Sequence, residues 1–122
     1  MRSPFLFWAA LAGFIGVAMG AFGAHGLKNI LSEHLLEVYK TAVSYQMWHA
    51  LALGLVAVLP PNKCLHWAGW LLLAGIVLFS GSLYGLAIFN IAWLGMITPF
   101  GGIAFLLAWG LIAYAALQNH PE

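Results

Sequence analysis

The chain has 122 residues, of which 64% are hydrophobic and 6% are charged, and its mean hydropathy is +0.97. Soluble domains carry about 25% charged residues, because a small domain exposes a large surface to water relative to its volume. This composition therefore excludes a soluble globular domain and a disordered segment, and it indicates a chain dissolved in lipid. The formal net charge of +1 lacks the basic footprint of a nucleic-acid-binding protein, so no nucleic-acid partner is predicted.

Charged residues mark the gaps between the predicted membrane spans. They are Arg2, Lys28, Glu33, Glu37, Lys40, Lys63 and Glu122. Apolar runs between them cover 4–24, 41–59 and 65–117. A helix needs roughly 20 apolar residues to cross about 30 Å of hydrocarbon, so the first two runs give one span each and the third gives two. Asn90 is the one strongly polar residue near the middle of the third run, and we place a turn there.

These runs predict an all-α membrane protein, because backbone hydrogen bonding in lipid favours helices at such lengths. The predicted architecture is a four-transmembrane-helix bundle that forms a single domain over 1–122. Its spans lie near 4–24, 41–60, 66–89 and 92–117, which puts both termini on one side. A cleavable secretory signal peptide is the alternative for the first run, but that run is longer than the 7–15 residues of a signal core.

The orientation of the bundle rests on a narrow charge balance. Arg2 and Lys63 lie on one side and Lys28 and Lys40 on the other, so the positive-inside count is tied. The α-amino group adds positive charge beside Arg2, and the unpaired Cys64 suits a reducing compartment. We therefore expect both termini to lie in the cytoplasm.

An amphipathic segment separates the first two spans. In residues 26–39 apolar side chains recur at spacings of three and four, and charged residues occupy the other face. This pattern predicts a short helix in the membrane interface, with Ser32 capping a segment that turns into the membrane. We interpret Glu33, His34 and Glu37 as a solvated face rather than a metal site, because the sequence supplies no further ligands nearby.

Glycines are spaced for close helix packing. In the first span they are Gly13, Gly16, Gly20 and Gly23, in the third Gly81 and Gly85, and in the fourth Gly101 and Gly102. Lipid tails solvate leucine as well as a neighbouring helix does, so helices associate where small residues let the backbones approach. We expect these glycines to pack the bundle. The partners that these faces predict are further copies of the chain in a homo-oligomer or a larger membrane complex, in addition to membrane lipids.

Polar side chains gather on one turn inside the second span. Tyr45, Gln46 and His49 lie at spacings of one, three and four, and His49 is about 12 Å below the start of the span. Its ring should therefore face the bundle interior, where Gln46, Tyr45 or a hydroxyl such as that of Ser80 or Ser82 would form a hydrogen bond with it. The alternative is that these five residues bind a lipid-like or small apolar ligand.

No catalytic residue, cofactor or metal is predicted. Ser80 or Ser82 with His49 is the sole candidate for a nucleophile and its base, and serine within a span more often bonds a neighbouring helix. His25 lies at the far end of its span, so it is badly placed to share a haem with His49. The single cysteine, Cys64, excludes a thiolate cluster within the chain.

Thr98 and Pro99 interrupt the fourth span, because proline lacks an N–H and disfavours helix in the residue before it. Either the helix starts there, with Thr98 as the cap, or it kinks. In the first case residues 90–97 form an interfacial loop anchored by Trp93. Other aromatic residues near span boundaries, namely Phe5, Phe7, Trp8, Trp67 and Trp70, are expected to be interfacial anchors.

Four ordered blocks resemble a known family. They are GAFGAHGLK at 20–28, YQMWHALAL at 45–53, LFSGSLYGLA at 78–87 and LGMITPFGG at 94–102. They resemble the YgdD-like family of small integral membrane proteins, also called domain of unknown function 423, to which the animal transmembrane protein 256 is similar. The resemblance implies a multi-helix protein of the bacterial inner membrane, or of the mitochondrial one in animals, without an established reaction. The matching positions of interest are His25, Gln46, His49, Ser80, Ser82, Thr98 and Pro99.

The resulting hypothesis is a structural, accessory or assembly protein that acts through helix packing and is not an enzyme. The alternative is a carrier or binder of a lipid-like ligand at the face of Gln46 and His49. Against a carrier for ions or protons, the spans contain no Asp, Glu or Lys.

Overall fold

The computed structural model describes residues 4–118, which are helical throughout apart from short turns. The helices are α1 (Phe5–Phe22), continued by a π-helical segment (Gly23–Leu27); α2 (Glu33–Val58); α3 (Lys63–Gly75), continued through a second π-helical segment (Ile76–Ser80) into α4 (Gly81–Phe89); a 3₁₀ helix (Ala92–Met96); and α5 (Thr98–Gln118). They form four stretches long and apolar enough to cross a membrane, Phe5–Leu27, Glu33–Val58, Lys63–Phe89 and Ala92–Gln118. The prediction of four spans is confirmed. Arg2 and Glu122 lie outside the described residues.

The structure does not contain the interfacial helix predicted over 26–39. The first helix instead continues to Leu27, and α2 runs without a break from Glu33 to Val58. Ser32 caps α2 as predicted, since its Oγ accepts a hydrogen bond from the Leu35 N–H at 3.1 Å. Residues 33–40 are therefore the first two turns of the second span.

The amphipathic pattern of this segment comes from packing between helix ends. Leu27 and Tyr39 are buried together with Ala87 of α4. The Tyr39 hydroxyl also donates a hydrogen bond to the Met19 carbonyl of α1. An apolar stripe that repeats every three to four residues suits either this arrangement or a membrane surface, so the spacing alone could not separate them.

α2 lies at the centre of the bundle. It packs against α1 on one side and against α3, α4 and the second π segment on the other, while α5 packs against α3 and that π segment. Leu53, Leu72 and Ala108 are fully buried in the main core. Large apolar side chains such as Phe14 and Leu106 are exposed, which is how a lipid-facing surface differs from a water-facing one.

The last break in the bundle is set by two local signals. The chain leaves α4 at Asn90, whose φ of 54° is left-handed, a conformation that asparagine tolerates better than most residues. The 3₁₀ helix follows, and α5 begins at Thr98 with Pro99 in its first turn. The turn at Asn90 and the helix start at Thr98 are confirmed, whereas the predicted loop over 90–97 contains a 3₁₀ helix.

Both ends of the described chain lie at the same end of the bundle, which we call the terminal end. The ring centroid of Phe5 is 6.0 Å from that of His66, and the Sγ of Cys64 is 3.5 Å from the Oε1 of Gln118. The starts of α1 and α3 and the end of α5 therefore meet here. The turn before Ser32 and the turn at Asn90 lie at the opposite end.

Candidate functional site

Gln46 joins three helices through both ends of its amide. Its Nε2 donates a hydrogen bond to the Ala12 carbonyl of α1 at 2.8 Å, and its Oε1 accepts one from the Tyr84 hydroxyl of α4 at 2.6 Å. The residue is only 3% exposed. A buried amide needs partners at both ends, and here the neighbouring helices supply them.

His49 joins α2 to α5 and has a partner at each ring nitrogen. Its Nδ1 lies 2.7 Å from the Tyr45 carbonyl oxygen, which can only accept, so Nδ1 carries the hydrogen. Its Nε2 then accepts from the Trp109 indole N–H at 3.0 Å. The ring stacks on Phe105 with centroids 3.6 Å apart. This arrangement requires a neutral imidazole, since a second proton on Nε2 would face the indole N–H.

The two predicted serines bond to the helices around them. The Ser80 hydroxyl donates to the Ala42 carbonyl of α2 at 2.8 Å. The Ser82 hydroxyl donates to the Phe79 carbonyl at 2.9 Å and lies 2.5 Å from the Thr98 hydroxyl at the start of α5. The Thr98 hydroxyl also lies 3.4 Å from the Leu94 carbonyl oxygen, to which it can donate, so either hydroxyl can be the donor in the bond between Ser82 and Thr98.

Tyr45 contributes its ring to the packing. Its centroid lies 4.6 Å from that of Phe79 and 5.0 Å from that of Trp48. Its hydroxyl has no hydrogen-bond partner within residues 4–118. Tyr45 thus differs from the other four predicted ligand-binding residues, whose polar atoms are engaged.

The five predicted residues do not converge on one pocket. Neither serine hydroxyl bonds the His49 ring, and none of the five lines either of the two surface cavities described below. Within residues 4–118 no three His, Cys, Asp or Glu side chains are grouped so as to hold a metal ion. The arrangement holds helices together by hydrogen bonds.

Sequence reasoning missed several members of this network: Tyr39, Tyr84, Phe105 and Trp109. One signal was available for Trp109, which lies near the middle of α5 and not at a boundary where tryptophan anchors a helix. Phe5 shows the opposite case. It was expected to be an interfacial anchor, but it is 3% exposed and packs against the Trp70 ring of α3 with centroids 5.2 Å apart.

The predicted packing glycines fall into three groups. A Cβ atom would lie under 3.0 Å from a neighbouring atom at Gly16, Gly23, Gly85 and Gly101. It would make ordinary contacts at Gly20 and Gly102, and it would meet nothing within 4 Å at Gly13 and Gly81. Gly69 and Gly75 are equally tight, against the rings of Phe5 and Phe105 respectively, and were not singled out from the sequence.

A groove of about 440 Å³ runs along the outer face of α1 and α2, and we call it the α1/α2 groove. Its small lining residues are Ala9, Ala10, Gly13, Ala50 and Gly54, and its larger ones are Leu6, Met47, Leu51, Leu55 and Val58. Ala9 and Ala50 are buried, and a Cβ at Gly54 would lie 3.8 Å from that of Ala9, so these small residues bring α1 and α2 together. Gly13 and the exposed Ala10 are the small lining residues that leave room for a further helix in lipid.

Comparison with known proteins places the four blocks in one family. Residues 19–102, which contain all four, match the family described as protein of unknown function DUF423. The chain is 44% identical over 116 residues to the UPF0382 membrane protein SAB0533 of Staphylococcus aureus, covering 93% of this chain and 95% of that protein. It is 46% identical over 118 residues to the UPF0382 membrane protein YwdK of Bacillus subtilis, covering 93% and 96%. No solved structure matches the chain.

Proposed function

Since the chain belongs to the DUF423 family, and the relatives above are membrane proteins, we propose that it is a structural membrane protein that associates with a second copy of itself. The α1/α2 groove is the contact surface in this proposal. The observation that carries it concerns Gly13, which lines this groove. Packing within the chain does not require a glycine there, because a Cβ at this position would meet nothing within 4 Å.

The internal polar network supports packing over ligand binding. Within residues 4–118 no buried side-chain nitrogen or oxygen lacks a hydrogen-bond partner. Gln46 and His49 would have to give up bonds to Ala12, Tyr84 and Trp109 before they could hold a ligand. The proposal also includes no catalytic step, because both nitrogens of the His49 ring are occupied and neither predicted serine reaches it.

Helix association in lipid explains why a groove of this kind takes a helix. Acyl chains solvate apolar side chains well, so the driving force for association comes from close van der Waals contact between backbones. Two copies that present the same groove to each other form an isologous interface, the commonest kind in homo-oligomers. A larger complex would use the same surface with a different helix.

Gly13→Leu is expected to weaken self-association by about tenfold, because the new side chain occupies the groove. The measurement is the dissociation constant from energy transfer between labelled chains in lipid nanodiscs or mild detergent. Gly81→Leu is the matched control, since a Cβ at Gly81 also meets nothing within 4 Å but lies away from the groove. A wild-type chain that stays monomeric, or equal constants for the two variants, would refute the proposal.

We further propose that the terminal end faces the cytoplasm of a bacterial inner membrane. Cys64, the single cysteine, is half-buried at this end, so labelling of its thiol shows on which side of the membrane the terminal end lies. We expect a membrane-impermeant maleimide to label Cys64 in inverted vesicles but not in intact spheroplasts. The double variant Cys64→Ser with Asn29→Cys moves the thiol to the opposite end and should reverse the pattern. Labelling of wild-type chain in spheroplasts would contradict this orientation.

A further inference from the structure

A second cavity opens at the terminal end. Its lining includes none of the hydrogen-bonded side chains of Gln46, His49, Ser80 and Ser82. This crevice has a volume of about 500 Å³ and is formed by the start of α1, the end of α2 and the start of α3. Its lining residues include the buried apolar side chains Phe5, Val56 and Leu65, and the polar side chains Asn62 and His66. The crevice is therefore amphipathic, unlike the wholly apolar α1/α2 groove.

The polar side chains of the crevice have hydrogen-bond donors to spare. The Asn62 Oδ1 caps α3 by accepting from the N–H groups of Cys64 and Leu65 at 2.7 and 3.3 Å, which leaves both hydrogens of its Nδ2 without a partner within residues 4–118. The exposed His66 ring packs beside the rings of Phe5, Trp67 and Trp70 and has no hydrogen-bond partner within residues 4–118, so its N–H is also available. A ligand at this site must accept hydrogen bonds.

The charge near the crevice and its depth in the membrane further restrict the class of ligand that fits. Lys63 is exposed in the same turn as Asn62 and His66, and it is the one charged side chain at the terminal end within residues 4–118. The acidic residues of that range, Glu33 and Glu37, lie near the opposite end. The crevice sits where α2 ends and α3 begins, which is the level of lipid headgroups. The exposed ring of Trp67 nearby is typical of this level.

We propose that this crevice binds one anionic glycerophospholipid. The Asn62 amide and the His66 ring donate to its phosphate group, Lys63 balances its charge, and part of an acyl chain lies against Phe5, Val56 and Leu65. Lys63 lies beside the lining residues and not among them, and it attracts an anionic headgroup as the cations of basic pockets between spans do. This inference does not depend on self-association, because the crevice and the α1/α2 groove have no lining residue in common.

The test is native mass spectrometry of the full chain released from mild detergent after addition of phosphatidylglycerol. The wild-type chain is expected to retain one lipid. Asn62→Asp keeps an oxygen to cap α3 but replaces the amide donors with a negative charge, so retention should fall about tenfold. Asn29→Asp is the matched control, because it makes the same change at an exposed position at the opposite end and should leave retention unchanged.

Two further additions identify what the crevice recognises. Diacylglycerol, which has the acyl chains without the phosphate, should not be retained. Inorganic phosphate should not displace phosphatidylglycerol, because it lacks the apolar part. Equal retention by Asn62→Asp and Asn29→Asp would overturn the site. Displacement by inorganic phosphate at similar concentration would overturn the lipid assignment in favour of free phosphate.

Discussion

Gly101→Ala is expected to lower the free energy of unfolding by about 1–3 kcal/mol, although it adds a single methyl group. That methyl would lie under 3.0 Å from the backbone nitrogen of Phe79 in the second π segment. A backbone atom cannot rotate away as the end of a side chain can. The substitution therefore forces α5 and the π segment apart. The two backbones also approach closely at Gly75, where a Cβ would lie 3.2 Å from the Gly101 carbonyl oxygen.

Gly102→Ala is the matched control for this prediction. A Cβ at Gly102 would lie 4.0 Å from the nearest atom of the Phe79 ring, which is an ordinary contact. Both variants gain the same helix propensity, so the difference between them isolates the steric effect. The measurement is unfolding by sodium dodecyl sulfate in mixed micelles, followed by circular dichroism. Equal midpoints for the two variants would show that the helices do not meet closely at Gly101.

The four spans could be predicted because charge has a large cost in hydrocarbon. Lys28 and Lys63 lie in or beside the gaps that the structure shows, whereas Lys40 lies two turns inside α2, and Asn90 ends α4 through a left-handed backbone. These signals are local and need no knowledge of the neighbouring helices. They give the number of spans and most of their ends, but not the start of α2, and they leave open which side of each helix faces the interior.

The sequence of such a chain says little about which side of each helix faces the core, since lipid-facing and core-facing side chains are equally apolar. Gly13 and Gly16 belong to one predicted stripe, but only Gly16 approaches a neighbouring helix, at Met47. Trp48 and Trp109 both lie within spans, but only Trp109 donates to His49. Such choices depend on partners distant in sequence.

Packing against segments distant in sequence adds a second source of error. Gly81 and Gly85 are four residues apart in α4 and were expected to form one packing surface, but Gly85 meets Leu94 of the 3₁₀ helix while Gly81 is exposed. The interfacial helix was predicted wrongly for a related reason, because a buried Tyr39 and a lipid-facing one produce the same spacing.

His49→Ala is expected to lower the free energy of unfolding by about 2–4 kcal/mol. The change removes a ring that stacks on Phe105 at 3.6 Å, and it leaves the Trp109 N–H without its acceptor inside the bundle. His34→Ala is the control, because His34 is exposed in the first turn of α2 and its removal creates no cavity. Equal stability of the two variants in the same unfolding assay would contradict the role given to His49.

A double-mutant cycle separates the hydrogen bond from the packing of the His49 ring. His49→Phe keeps a ring against Phe105 but removes the acceptor, and Trp109→Phe removes the donor. Hydrogen bonds between membrane helices contribute about 0.6 kcal/mol on average, so the coupling energy should be of that order and most of the loss in His49→Ala should come from packing. A coupling energy near the whole loss would instead make the bond between His49 and Trp109 the main link from α2 to α5.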